Sequence, residues 1–272
     1  MEILFCGTAA AEGWPALFCT CPACQQARAN GGNDVRSRAA YMLGDRIRLD
    51  FGPDSNLHQQ KYGLAFEKLE HLLVTHSHSD HWFPTDLYYR RAGFSITPDN
   101  PLHVWGNAKV EAKFVEANGS DWGRYKLEFH RLKAWEPVEL GEGVSATPVL
   151  AAHDRSEECF NFRVEAEGRA ALFGHDTGWY DAPTWEFLSG KPIHLLILDG
   201  TYGTEDNQQG HMGGLAVVRA RDELARRGAL APDARCIVTH FSHNSRALYA
   251  DLERFFAPHG IQVAYDGLRV AL

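Results

Sequence analysis

The 272-residue chain carries 35 acidic against 27 basic side chains, a formal net charge of −8. That balance argues against a protein that grips nucleic acid through phosphate contacts, which needs a basic surface. Hydrophobic residues at 44% and charged ones at 23% exclude a disordered chain and allow a sizeable core.

In chain order, EILFCGT (2–8) reads as a first strand. The opening MEILFCGTAA has no basic segment followed by a long apolar one, and nowhere do 18 apolar residues run together, so a cytoplasmic protein without a membrane partner is expected. FCTCPAC (18–24) then places Cys19, Cys21 and Cys24 just before a helical pattern. In a reducing compartment such a cluster points to a metal rather than to disulfides, yet a closed tetrahedral zinc site needs four ligands. Further strand-length apolar runs follow, each ending in a polar cluster: RIRLDFGP (46–53), HLLVTHSHSD (71–80), LHVWGN (102–107), AALFGHDTG (170–178), HLLILDGTYG (194–203) and RCIVTHFSH (235–243). Within HWFPTDLYYRRAGF (81–94), Trp82, Phe83, Tyr88 and Tyr89 read as the packing face of a helix on a sheet. LAVVRARDELARRGA (215–229) and SRALYADLERFFA (245–257) have helical apolar spacing. The alternation predicts an α/β fold with helix-covered sheets. No linker-like stretch breaks the chain, so one domain over residues 1–272 is expected, with a small metal-binding element around residues 18–30. Cys6, Cys159 and Cys236 lie in apolar runs and read as buried thiols.

Histidines and aspartates sit repeatedly at the carboxyl ends of these runs, where side chains from separate strands converge on one crevice. The densest case is THSHSDH (75–81), with His76, His78, Asp80 and His81 directly after an apolar run. His76 and His78 can share one direction while Asp80 and His81 face a second point nearby, which suits two metals of the zinc, iron or manganese type.

HSHSDH resembles the HxHxDH signature of the metallo-β-lactamase superfamily, and other residues match the family's motifs in order: Asp50 in RLDFGP, His153 in LAAHD, Asp176 in LFGHDTG and His240 in CIVTHFSH. The resemblance implies a four-layer αββα sandwich with a dinuclear metal site between its sheets. It assigns His76, His78 and His153 to one metal and Asp80, His81 and His240 to the other, with Asp176 bridging both and Asp50 orienting a ligand or the water. His175 competes with Asp176 for the fourth motif, but a carboxylate can bridge two metals and a neutral imidazole cannot. The early segment GTAAAEGWPALFCTCPACQQAR (7–28) is similar to a phosphoribosyl cyclic phosphate phosphodiesterase subfamily of the carbon-phosphorus lyase pathway, and more distantly to a pyrroloquinoline quinone biosynthesis protein. That likeness implies a structural zinc on Cys19, Cys21, Cys24 and His243. It also implies a role for His211, in GHMGG, as acid towards the leaving group.

The expected activity is therefore metal-dependent hydrolysis of a small anionic phosphodiester, such as a ribosyl or nucleoside cyclic phosphate. It would use two catalytic divalent ions (zinc, manganese or iron) and one structural zinc. Two liganding carboxylates offset only half the charge of two divalent ions, leaving about +2 for an anionic substrate. Arg90, Arg91 and Arg155 could grip its phosphate and Tyr202 could line the pocket. Ester or lactam hydrolysis, or binding without turnover, are the alternative readings. A homodimer is allowed, and a long nucleic-acid substrate of the ribonuclease Z type is disfavoured by the charge.

Overall fold

The computed structural model describes residues 1–272. It contains two seven-stranded mixed sheets. The first holds β1 (Glu2–Gly7), β2 (Ala40–Leu43), β3 (Ile47–Leu49), β4 (His71–Leu73), β5 (Leu102–Gly106) and β6 (Leu127–Arg131), with the last strand, β14 (Arg269–Ala271), beside β1. The second holds β7 (Val138–Glu139), β8 (Ser145–Leu150), β9 (Phe160–Ala166), β10 (Arg169–Gly174), β11 (Ile193–Asp199), β12 (Leu230–Thr239) and β13 (Ile261–Val263). Six α-helices cover the outer faces: α1 (Pro22–Asn30), α2 (Ser55–Tyr62), α3 (Ala108–Asn118), α4 (Ala182–Leu188), α5 (Leu215–Arg226) and α6 (Tyr249–Phe256). The layers are the αββα sandwich expected from the sequence, and none of the helices is long and apolar enough to cross a membrane.

Each sheet is antiparallel in one half and parallel in the other. In the first, β3, β4, β5 and β6 run parallel; in the second, β10 to β13 do. Parallel strands covered on both faces carry apolar side chains on both, which explains uninterrupted runs such as HLLILD. Along β11, Leu195 and Ile197 enter the core between the sheets with Phe5, Leu73 and Phe173. Leu196 and Leu198 turn outward to meet Trp185, Val217 and Leu224 of α4 and α5. On the first sheet Leu72, Val74 and Val104 meet Val110 and Phe114 of α3. Truncating such a side chain, Phe173 for instance, would cost about 3–5 kcal/mol.

Several elements depart from expectation. The segment after His81 forms a 3-10 helix at Pro84–Arg90 rather than an α-helix. Trp82 is fully buried and donates from Nε1 to the Val110 carbonyl at 2.9 Å, whereas Tyr89 is 56% exposed and packs no sheet. The last helix begins at Tyr249 because Arg246 adopts φ 58°, a left-handed conformation that no helix can include. Strands β8 and β9 have no clear strand pattern in the sequence, as Pro148 and Arg163 interrupt their apolar run; both residues nevertheless lie within paired strands. Cys6, Cys159 and Cys236 are buried, as expected.

Candidate metal centre

The parallel halves of the two sheets deliver their carboxyl ends to one side of the sandwich, and there the side chains singled out in the sequence meet. Asp50 follows β3, His76 to His81 follow β4, Asp176 follows β10 and His240 follows β12. Three of these residues have left-handed backbones: Asp50 at φ 63°, Asp176 at φ 57° and His240 at φ 64°. Such conformations cost energy for residues with a Cβ and persist where the surrounding structure imposes them. The turn before α2 passes so close to the histidine loop that a Cβ on Gly52 would sit 1.9 Å from the Asp80 carbonyl oxygen.

Donor atoms of His76, His78, His153 and Asp176 lie within 4.8 Å of one another, and so do those of Asp80, His81, Asp176 and His240. Asp176 belongs to both sets. Its Oδ2 is 3.3 Å from His76 Nε2 and 3.0 Å from His81 Nε2, while Oδ1 is 3.3 Å from His153 Nδ1. His175 turns away and contacts Asp50 through Nε2 at 3.0 Å, so it is absent from both sets.

The other ring nitrogens are held from behind. His81 Nδ1 donates to Asp50 Oδ2 at 2.7 Å, and the Thr75 hydroxyl, itself donating to Asp50, meets His76 Nδ1 at 3.0 Å. His78 Nε2 faces Asp154 at 3.3 Å, and His240 Nδ1 faces Thr201 Oγ1 at 2.9 Å. Burial would raise the Asp50 carboxyl, but His81 and His175 outweigh it and keep Asp50 ionised. Left over are His76 Nε2, His81 Nε2, His240 Nε2 and Asp176 Oδ1, four buried polar atoms without a hydrogen-bond partner. Orphaned atoms of this kind are costly unless something binds them. Imidazole and carboxylate donors, oriented from behind and converging, fit divalent transition-metal ions.

Glu157 accepts from Ser77 N and Oγ and from Asn107 Nδ2, which pins the histidine loop to the start of α3. Asp199, at the end of β11, accepts from Thr201 N and Met212 N at 2.9 Å and contacts His211 Nδ1 at 3.1 Å and His240 Nδ1 at 3.4 Å. Sequence reasoning missed Asp199, although it occupies the same strand-end place as Asp176. His211 lines the cavity over the donors, which measures about 310 Å³. Burial favours its neutral ring, but the charge and hydrogen bond of Asp199, with Asp176 behind, push it up to about 9.

Two of the three arginines that could grip a phosphate are engaged elsewhere. Arg90 donates to the carbonyls of Tyr125 and Lys126, and Arg91 lies 3.9 Å over the Tyr88 ring. Tyr202 is outside the cavity wall, and Arg155 lines a neighbouring cavity.

The cysteine cluster also finds its partner. Donor atoms of Cys19, Cys21, Cys24 and His243 lie within 4.8 Å of one another, with His243 Nδ1 at 3.6 Å from Cys19 Sγ and 3.7 Å from Cys21 Sγ. Cys21 caps α1, accepting from Cys24 N at 3.4 Å, and Pro22 begins the helix. Contact with His243 and that amide lowers the Cys21 thiol to about 6, while burial pushes Cys24 up to about 11. His243 Nε2 faces Glu12 at 3.5 Å. A carboxylate behind a histidine among thiols is the arrangement that suits zinc.

Comparisons with known proteins bear on the family and the fold. Residues 45–241 match the family described as the Beta-lactamase superfamily domain. A diphosphatase from the PhnP family superposes over 99% of this chain and 96% of its own, with TM-score 0.75 and 22% identity. Zinc-bound PqqB from Methylobacterium extorquens covers both chains completely, with TM-score 0.72 and 18% identity. At those identities the likeness is one of fold. Among curated sequences, an octanoyltransferase of Porphyromonas gingivalis is 22% identical over 280 residues, covering 100% of this chain and 52% of that protein. Coenzyme PQQ synthesis protein B of Cupriavidus necator is 30% identical over 130 residues, 43% of this chain and 42% of that protein. The chain thus spans about half the length, or less, of the curated relatives it matches.

Proposed function

The chain belongs to the beta-lactamase superfamily, a family of metal-dependent hydrolases, and on that premise we propose that it hydrolyses small phosphodiesters. The observation that carries the reading is Asp176, whose two oxygens face both histidine sets at 3.0–3.3 Å beneath a cavity that His211 overhangs. His76, His78, His153, Asp80, His81 and His240 would hold two divalent ions with Asp176 between them. Such ions supply a water of lowered pKa and positive charge for the phosphoryl oxygens. Asp50 and Asp199 position His81 and His240, and Thr75 positions His76.

Departure of the alkoxide requires a proton, and a placed acid contributes roughly 10²- to 10⁴-fold. His211, held at Nδ1 by Asp199, carries that proton at Nε2 in its imidazolium form. Cys19, Cys21, Cys24 and His243 would hold a structural zinc that ties the early segment to the loop bearing His240.

The test is hydrolysis of bis(p-nitrophenyl) phosphate and of 2',3'-cyclic nucleotides with added zinc or manganese. Turnover well above that of Asp176→Ala is expected. Rates equal to that background, with both proteins loaded with metal, would leave a binding protein without turnover.

A further inference from the structure

A second cavity, about 410 Å³, adjoins the metal centre, and His153 belongs to the walls of both. Its other walls include Arg155, Trp179, Asp181, Gln208 and Gln209. They come from three loops that each carry a residue of the centre: one continues from His153, one from Asp176, and one leads into His211.

The loops are tied to one another. Gly178 N donates to the Ala152 carbonyl at 2.9 Å and Trp179 N to the Gln208 carbonyl at 2.8 Å. Asn207 Nδ2 donates to the Gln209 and His211 carbonyls at 3.0 and 2.6 Å. A Cβ at Gly178 would stand 2.6 Å from the Gln208 oxygen and 2.8 Å from Gly210 N, so the loops meet at van der Waals contact. The cavity is thus preformed, as ligand sites usually are.

Its chemistry is selective. Trp179 offers the one large apolar surface, and its ring is braced by Trp185 at 4.9 Å between centroids. Around it stand one guanidinium, one carboxylate and two primary amides. An acyl chain would find too little apolar wall, and a second phosphate would meet the Asp181 carboxylate in the same wall as the Arg155 guanidinium. A neutral heteroaromatic ring with donors and acceptors on its edge matches both the indole face and the amides.

We propose that this cavity is a leaving-group subsite for a nucleoside. The inference rests on the phosphodiesterase reading and names the half of the substrate which that reading leaves open. Water bonds to phosphorus through its oxygen and releases one proton to solvent, from which His211 is afterwards reprotonated, and the bond from phosphorus to the nucleoside oxygen breaks. The electron pair departs on that oxygen, which takes the proton from His211; the products are a phosphomonoester and a free nucleoside. His211 ends the very loop that supplies Gln208 and Gln209, so the acid and the proposed nucleoside site share one loop.

The experiment has two arms, both on metal-loaded protein. Adenosine binding is followed by calorimetry, and kcat/KM is compared between adenylyl-adenosine and bis(2,2,2-trifluoroethyl) phosphate, an activated diester without a ring. Trp179→Ala is expected to weaken adenosine binding about 10-fold and to lower the ratio of the two kcat/KM values by a similar factor, through KM. Trp179→Phe should recover most of both. Gln208→Ala, at an exposed position that endangers no packing, should lower the ratio by a smaller factor. The subsite is overturned if wild-type protein fails to bind adenosine, or if Trp179→Ala and Gln208→Ala leave the ratio unchanged. Adenosine binding that depends on Trp179, with neither diester hydrolysed, would uphold nucleoside binding in this cavity but overturn its leaving-group role together with the phosphodiesterase reading.

Discussion

The two donor clusters share only histidine as a ligand type and differ in their other donors and in what surrounds them. The histidine and aspartate centre gathers side chains from the ends of several strands, shares one carboxylate between two sets, and opens on a cavity of about 310 Å³. The cysteine cluster draws on two segments 224 residues apart, Cys19 and His243, and its four donors are the number that would fill a closed tetrahedral zinc site with nothing left for a substrate. An open, carboxylate-bearing centre suits chemistry, whereas a closed thiolate-rich one suits cross-linking. The two are neighbours all the same, because His240 and His243 share one loop and Glu12 touches His243 while lining the cavity over the histidine and aspartate centre.

That contrast can be broken by substitution. Asp176→Asn should have the largest effect on activity, at least the roughly 10²- to 10³-fold that losing one charge-stabilising group costs. Metal analysis of the same variant should show the cysteine-bound zinc intact; its loss would mean that the clusters are not independent. His211→Ala should follow, with a loss of about 10²- to 10⁴-fold on unactivated diesters and far less on nitrophenyl esters, whose leaving group needs no proton. Equal losses on the two ester types would remove His211 from the role of acid.

Asp199→Asn sharpens the picture of the open centre, since it touches both His211 and His240. An outer carboxylate of this kind is worth about 10- to 100-fold in metal affinity or activity, readable as a raised metal concentration for half-maximal turnover. The smallest effect on turnover is expected for His243→Ala. It should release one zinc per chain, and if that zinc contributes about 3 kcal/mol as a long-range cross-link, Tm falls by about 6–12 °C. Unchanged zinc stoichiometry in this variant would dissolve the cysteine clasp.

Much of the centre was legible because its parts are local. HSHSDH packs four donors into six positions directly after β4, and Asp50, Asp176 and His240 each close an apolar run, so strand ends and donors could be read together. Resemblance supplied the pairing of distant residues, including His243. Asp199, Glu12, Glu157 and Asp154 escaped because a single carboxylate in a loop or at a strand end looks the same whether it meets water or a buried imidazole. Arg48 escaped for a related reason: it stands in a strand as any exposed residue would, yet it is 0% exposed and donates to Ser55 Oγ at 3.3 Å within the layer under α2.

The sequence by itself determined the chemical types of the donors, their spacing along β4 and the strand-and-helix alternation, since short-range geometry and apolar periodicity follow from the chain locally. Only the tertiary structure decided which nitrogen of each histidine points inward, which carboxylates stand behind them, and how three loops enclose a second cavity beside His153. Those features depend on the closure of long loops and on left-handed turns at Asp50, Asp176 and His240. Such conformations are unfavourable in isolation, and contacts from distant parts of the chain impose them.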